Sequence, residues 1–441
     1  MKKALISGVC ALGLLTAAPA FANDGMPSRE EMWQMIQIQQ KQIKELQTLV
    51  KKQDQKIVAT ETKVEQNAAQ VQETAIKVQE TAKKADATEQ TVAAIDPASI
   101  EPAAGNGWWD RTSFNGYGEL HYNGGNVDQI DFHRFIIGLN HEFTDDIRLI
   151  SELEVEHSVI GDGQEGDVVL EQALIEFDLT EDDAHKAQAG VYLLPLGILN
   201  ETHEPPTFYG VERNIVETQI IPSTFHEAGV QLLGNLGESG FSYNAGVHSS
   251  LSVDPMTFDI RGGRNKVANA EATDPAFTGR VRWSGYPGVT VGVGGQYQTD
   301  ITQDANDDKQ VGATLVEAHA DLRRGGWGLR ALYARWDIDS NAAEAIGADE
   351  QVGWYVEPSY RFEVPFGFDD GYGELGVFTR YSEIDENEGS NAVDSEIDQV
   401  DIGLNYWPIP NVVLKADYNF IDGPTDAQDD SRLNLGVGYQ F

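Results

Sequence analysis

The chain has 441 residues, with 71 Asp and Glu against 31 Lys and Arg, and a formal net charge of −40. An acid-rich surface of this kind repels polyphosphate, which excludes nucleic acid as a partner. The single cysteine, Cys10, lies near the start, so the rest of the chain has neither a disulfide framework nor a thiol site.

Residues 1–22 read as a secretory signal peptide. Lys2 and Lys3 form a basic start, an apolar run follows from Ala4 to about Ala18, and Ala20-Phe21-Ala22 is a small-x-small cleavage site. The run is short for a membrane span, and no later stretch approaches the roughly 18 consecutive apolar residues of a transmembrane helix. A chain exported in this way is therefore either soluble or a β-barrel, because only helices and closed barrels satisfy backbone polar groups in lipid.

Residues 23–95 are expected to form a coiled coil facing the periplasm. Between 28 and 95 there is no Pro or Gly, and β-branched residues recur every seventh position at Ile36, Ile43, Val50, Ile57, Val64, Val71 and Val78. The matching d positions are mostly polar, among them Gln39, Gln53, Thr60 and Asn67. So narrow a seam can be buried only against copies of itself, and polar d layers fix register and oligomer state. At about 1.5 Å per residue the segment would make a rod of roughly 100 Å. Residues 96–109 are a linker, broken by Pro97 and Pro102. It ends in Trp108-Trp109, either a headgroup-boundary anchor or a packing anchor.

The period changes at Asp110. Residues 1–106 hold 12 basic and 13 acidic side chains, so nearly all the net charge belongs to residues 107–441. From 110 to 441 short runs alternate apolar and polar, which predicts strands at 113–122, 129–143, 146–157, 168–178, 185–194, 226–233, 240–250, 276–284, 288–298, 310–321, 326–336, 350–363, 371–384, 396–407, 411–421 and 431–441. The connections alternate short and long. Sorting of this kind describes an all-β transmembrane barrel of about sixteen antiparallel strands, with short turns on one rim and long loops on the other. The C-terminal Gly-Tyr-Gln-Phe441 resembles the signal that barrel-insertion machinery reads.

Strand alternation assigns faces. Leu433, Leu435, Val437, Tyr439 and Phe441 take one side of the last strand, and Arg432, Asn434, Gly436 and Gln440 the other. The apolar face meets lipid and the polar face lines the lumen. By this parity Arg134, Arg148, Glu152, Glu154, Arg280, Arg282, Arg330, Arg380 and Lys415 are expected to line the pore, with further carboxylates among them. Charges of both signs on a pore wall set selectivity through local potential. The segment 196–225 is too long for an ordinary connection, which marks it as functional. Its Glu201, Glu204, Phe208, Tyr209, Glu212 and Arg213 are expected to form a constriction. The alternatives are an outward cap and a trimer contact.

The block GVYLLPLGILNETHEPPTFYGVERN from Gly190 to Asn214, followed by IPSTFHEAGV from Ile221 to Val230, resembles the phosphate-selective porin O/P family. The resemblance implies a trimeric sixteen-stranded barrel for diffusion of small polar or anionic solutes, set among outer-membrane lipid and lipopolysaccharide. The heptad segment is an addition to that pattern. Members that select phosphate use a ladder of inward arginines and a lysine cluster, whereas here scattered arginines stand among more carboxylates, so phosphate selectivity is not carried over.

The expected function is an outer-membrane porin that passes small polar or charged solutes. The alternative is an envelope tether whose coiled coil reaches the peptidoglycan. The barrel's histidines sit in no nucleophile motif, so an enzyme is not expected, and no metal-ligand spacing is evident. No cofactor is expected beyond Ca²⁺ or Mg²⁺ held loosely on acidic loops.

Overall fold

The computed structural model describes residues 107–441 apart from 126–127, 162–165, 271, 304–309, 369–370, 392–393 and 426–429, together with eight positions between Arg29 and Lys51. The expected signal peptide, the linker up to 106 and most of the expected coiled coil lie outside the described residues. The eight described positions near the start are helical and exposed. Two compact units divide the chain, Met1–Pro102 and Ala103–Phe441.

The second unit is a closed barrel of sixteen strands, each antiparallel to its neighbours in sequence. They are β1 (Thr112–Asn123), β2 (Gln129–Glu142), β3 (Ile147–Glu156), β4 (Val168–Asp178), β5 (His185–Leu193), β6 (His226–Asn235), β7 (Phe241–His248), β8 (Ala276–Tyr286), β9 (Val289–Gln298), β10 (Gly312–Arg324), β11 (Trp327–Asp339), β12 (Glu350–Val364), β13 (Gly373–Asp385), β14 (Ile397–Ile409), β15 (Val412–Asp422) and β16 (Asp430–Gln440). Each coincides with a segment expected from alternation, within three residues at either end. The turn between β10 and β11 falls at Gly325-Gly326, two residues later than the pattern suggested. Gly325 there takes a left-handed φ of 59° that other residues adopt at a cost.

The ring closes where β1 pairs β16, from Tyr117 opposite Gln440 to Asn123 opposite Asn434. Phe441 extends the closure, exchanging backbone bonds with Gly116 of 2.9 and 3.1 Å. No strand edge is left open, the condition for a sheet to stand in lipid. The outer face carries the apolar half of each strand: Leu404, Leu414, Leu433 and Leu435 are all exposed. Aromatic side chains mark both ends of this belt. Trp327, Tyr360, Phe362 and Phe441 lie toward the short turns, and Tyr297, Tyr418 and Phe420 toward the long loops. Trp108 and Trp109 form a 3-10 turn before β1 and are 59% and 64% exposed.

The interior departs from the expected wet, polar lining. Toward the long loops, inward positions on β10 and β11 are apolar: Ala313, Leu315, Leu332, Ala334, Trp336 and Ile338 are all buried. They pack with Val216, Ile220 and Ile221 of the long β5–β6 loop and with Leu251, Val253 and Phe258 of the β7–β8 loop in one cluster. Strand alternation cannot reveal this, because an inward face covered by a folded loop is a protein core and follows core rules. A short helix, α1 (Val216–Gln219), rests against Gly353, where a Cβ would stand 2.8 Å from Ile220 and 3.1 Å from Val216.

This core gives the first expectation. Leu315→Ala should lower the unfolding free energy by about 2–5 kcal/mol through the cavity it leaves. Leu404→Ala on the outer face should cost less, since lipid refills the space. Urea unfolding of both variants in detergent micelles measures the difference.

Candidate functional site

The β5–β6 loop, Leu194–Phe225, is built around three buried polar side chains. Asn200 Nδ2 donates to the carbonyls of Leu194 (2.7 Å) and Phe225 (2.9 Å), while its Oδ1 accepts from Phe225 N at 2.6 Å. That pinches the two ends of the loop together. Glu217 Oε1 accepts from the backbone of Ile198 and Leu199, both at 2.6 Å, and its Oε2 accepts from Asn214 (3.1 Å) and from the Tyr355 hydroxyl of β12 (2.9 Å). Asn214 Oδ1 in turn accepts from Glu217 N at 2.8 Å. A carboxylate so supplied with donors is a strong structural anchor.

Between 203 and 211 the loop backbone is held by inward side chains of the barrel wall. Arg134 of β2 donates to the His203 carbonyl at 2.7 Å, Trp407 of β14 to Pro206 at 3.1 Å and Arg330 of β11 to Thr207 at 3.0 Å. Asn405 of β14 donates to Phe208 at 2.9 Å and Arg380 of β13 to Tyr209 at 3.3 Å. Asp417 of β15 accepts from Val211 N at 2.6 Å. The wall also grips the loop's aromatic rings. Lys415 Nζ lies 3.4 Å from the centre of the Phe208 ring, and Tyr209 stacks on Phe378 at 5.2 Å. Glu212 accepts from His121 and Asn123 of β1, both at 2.9 Å.

The side chains expected on the pore wall point inward, and apart from Arg148 they divide into two sets. Arg134, Arg380 and Lys415 are at most 5% exposed. They sit beneath the loop rather than on open water. Arg134 pairs with Glu119 at 2.6 Å, and Arg380 pairs with Asp401 (2.6 Å) and Glu357 (3.0 Å). Glu154 is buried beside them, and one oxygen of Glu152 has no hydrogen-bond partner. Arg148 lies apart, near the short turns, bonded to Glu176 at 2.7 Å and to Asp178.

Arg280, Arg282 and Arg330 form the second set. With Arg323, Arg361, Asp321 and His319 they line a cavity of about 420 Å³ between the wall of β8–β12 and the loop residues Gly197–Thr207. Arg280 pairs with Glu201 of the loop and donates to Asn244 at 2.9 Å. Asp321 accepts from Arg323 (2.9 Å) and Arg330 (3.0 Å). Arg361 pairs with Glu374 and stacks 3.9 Å over Trp407. Among the described residues Arg282 makes no ion pair. On the long-loop side a second cavity of about 540 Å³ is lined by Glu212, Arg213, Arg261, Gln399, Asp430 and Arg432. Of the loop residues expected at a constriction, Glu201 faces the first cavity, Glu212 and Arg213 face the second, and Phe208 and Tyr209 pack on the wall. Glu204 is half-buried and accepts a 2.9 Å bond from Thr207 N at its carbonyl.

His203, on the loop, is buried against the wall, and burial pushes its imidazole down to about 3. The ring is neutral at ordinary pH. Its Nδ1–H donates to the Asn200 carbonyl at 3.0 Å, which leaves Nε2 to accept from the Tyr117 hydroxyl at 2.6 Å.

Similarity to known proteins decides the family. The profile of the phosphate-selective porin O and P family matches residues 103–440. The chain belongs to this family. An uncharacterized protein of Aquifex aeolicus (strain VF5) is 29% identical over 378 residues, 78% of this chain and 84% of that one. An anion-selective porin from Comamonas acidovorans shares the fold at a TM-score of 0.52 and 12% identity, covering 75% of this chain and 99% of the other. Salmonella typhi OmpF, solved with daunomycin, gives 0.51 at 13% identity over 75% and 97%. The porin family and the closed barrel together identify an outer-membrane channel.

Sequence reasoning missed Asn200, Asn214 and Glu217, the anchors of the long loop. All three lie within or beside the block that carries the family resemblance, but their isolation from strand periodicity hides their role. Glu217→Ala removes the acceptor that Ile198 N and Leu199 N share. Hydrogen-exchange protection of these two amides should fall about tenfold or more, equivalent to about 1.4 kcal/mol.

His203 makes a pH-dependent contribution. The unfolded imidazole gains a proton near pH 6.5, whereas the folded one stays neutral down to about 3. Its stabilisation is therefore complete above about pH 6.5 and lost as pH falls toward 3. Relative to His203→Gln, the natural chain should lose about 2–3 kcal/mol of unfolding free energy between pH 6.5 and 4.5, about 1.4 kcal/mol per pH unit, as read by urea denaturation.

Proposed function

We propose that the protein is a passive, trimeric outer-membrane porin for small polar and charged solutes, narrowed by residues 196–225 folded into its lumen. The observation that carries this reading is the span of the backbone contacts. Within five residues the loop is bonded to Arg134 on β2 and Arg330 on β11. These strands stand seven places apart around a ring of sixteen, almost opposite one another. A segment tied to both crosses the interior. The remaining passage runs beside the loop, past the cavity of about 420 Å³.

The charge of that cavity favours anions. Five arginines face two carboxylates, Glu201 and Asp321, across it. Arg282 contributes a guanidinium with no ionic partner among the described residues, and a fixed charge inside a narrow low-dielectric wall acts strongly on a passing ion. The heptad seam of residues 23–95 supports the trimer, because three copies would bury it.

In a planar bilayer the full-length protein should open in steps grouped in threes and, in a salt gradient, give a reversal potential of the sign set by anions. Arg282→Glu should move that potential toward cation preference without changing the step pattern. Absence of conductance after verified insertion would overturn the channel, and a cation-sign potential in the natural protein would overturn the anion preference.

A further inference from the structure

On the inner wall near the long loops, Asp131 and His133 of β2 meet His157, which directly follows β3. Asp131 Oδ2 lies 3.3 Å from His133 Nδ1 and 2.8 Å from His157 Nδ1, and the three ligand atoms fall within 4.8 Å of one another. Spacing along the chain does not announce the group. It exists because β2 is irregular where it passes His121. The β1–β2 register slips between the Glu119–Arg134 and His121–Asp131 pairs, and the slip brings His133 beside Arg134 on the inward face.

His157 is held in place by its backbone. Its φ of 54°, and that of Ser158 at 57°, are left-handed conformations costly for residues with a Cβ. The bend folds His157 back over β2, where its N–H bonds the His133 carbonyl at 3.2 Å. His133 is supported from the other side by His121, whose ring stacks on it at 4.7 Å. His121 is itself fixed by Glu212 and Glu119, at 2.9 and 3.3 Å. The three side chains keep about a third of their surface open to water, which leaves an entry path and room for further ligands.

We propose that Asp131, His133 and His157 form a binding site for a divalent transition-metal ion of the zinc class. Two imidazoles and one carboxylate are the donor set such borderline ions take, in contrast to the all-oxygen sets of Ca²⁺ and Mg²⁺. With metal–ligand bonds of about 2.0–2.1 Å, neighbouring ligand atoms in a tetrahedral or octahedral shell stand about 2.9–3.4 Å apart. The two separations to Asp131, 3.3 and 2.8 Å, lie within about 0.1 Å of that range. The surrounding Glu156, Glu119 and Glu212 add negative potential, against Arg134, which pairs with Glu119 at 2.6 Å, and Lys266, which pairs with Glu156 at 3.6 Å. The site does not depend on the transport reading, since a barrel that conducts nothing would still hold it.

The test uses full-length protein without a histidine tag, folded in detergent micelles and titrated calorimetrically with Zn²⁺ in millimolar Mg²⁺, which occupies exposed carboxylates. One Zn²⁺ per chain is expected, with affinity lowered about tenfold or more in His157→Ala and in His133→Ala. Equal binding in both variants, or none in the natural chain, overturns the site. X-ray absorption at the zinc edge of the natural chain decides independently of variant folding. A shell with two imidazoles and oxygen supports the site, and a shell of oxygen alone overturns it.

Discussion

The pairing of β1 with β16 is the constraint on which the other features rest. A sheet in hydrocarbon cannot leave an edge, because each unsatisfied N–H or C=O costs several kcal/mol there. Closure by a pairing from Tyr117–Gln440 to Asn123–Asn434, extended by Phe441 and Gly116, fixes one inside and one outside for every strand. Once that is fixed, side-chain parity has no freedom. The apolar half of each strand must face lipid, and the charged half is forced into a confined interior, where charges need partners.

The long loop answers that need. A loop inside a barrel brings backbone carbonyls that must be bonded and apolar side chains that must be covered. The wall supplies donors for the carbonyls of His203, Pro206, Thr207, Phe208 and Tyr209 from two arginine–carboxylate clusters, one tryptophan and one asparagine, and Arg330 completes the set. Arg134, Arg330 and Arg380 thus act in two directions: each neutralises a neighbouring carboxylate and caps a loop carbonyl. Guanidinium suits this because its several N–H groups leave in a fixed fork, whereas the Lys415 ammonium, given an aromatic face in place of oxygen, settles over Phe208. The apolar cluster around Trp336 and Leu315 fixes the other half of the loop, through Trp336 Nε1 bonded to the Ile220 carbonyl at 2.9 Å.

The sequence made the barrel legible because its information is periodic. Sixteen alternating segments and the parity of their connections arise from lipid on one side and protein or water on the other. What stayed hidden is what periodicity does not encode. The β4 bulge beside Glu171, where the β3–β4 register slips, and the slip in β2 change parity without changing composition. The inward residues Leu315 and Trp336 look like errors in a polar lining until the loop that covers them is in place. Arg134 and Arg282 occupy equivalent positions in the alternation, yet one is sealed under the loop and the other faces a cavity, and only the path of residues 203–211 separates them. The cluster of Asp131, His133 and His157 is invisible for the same reason, since a register slip and a left-handed bend create it.

The net charge of −40 and the anion preference proposed for the passage are compatible because they act over different distances. Charge on exposed loops is screened within about 8 Å at physiological ionic strength, so the acidic segments set solubility and the approach of counter-ions to the rim. Beside a narrow low-dielectric wall screening is weaker, so the potential that a solute meets there is that of the nearest few side chains. Several inward carboxylates, among them Glu119, Asp401 and Glu357, are neutralised by the arginines that hold the loop. On the proposed reading, selectivity is decided by what those pairings leave over, and at the cavity wall that is Arg282, which makes no ion pair among the described residues.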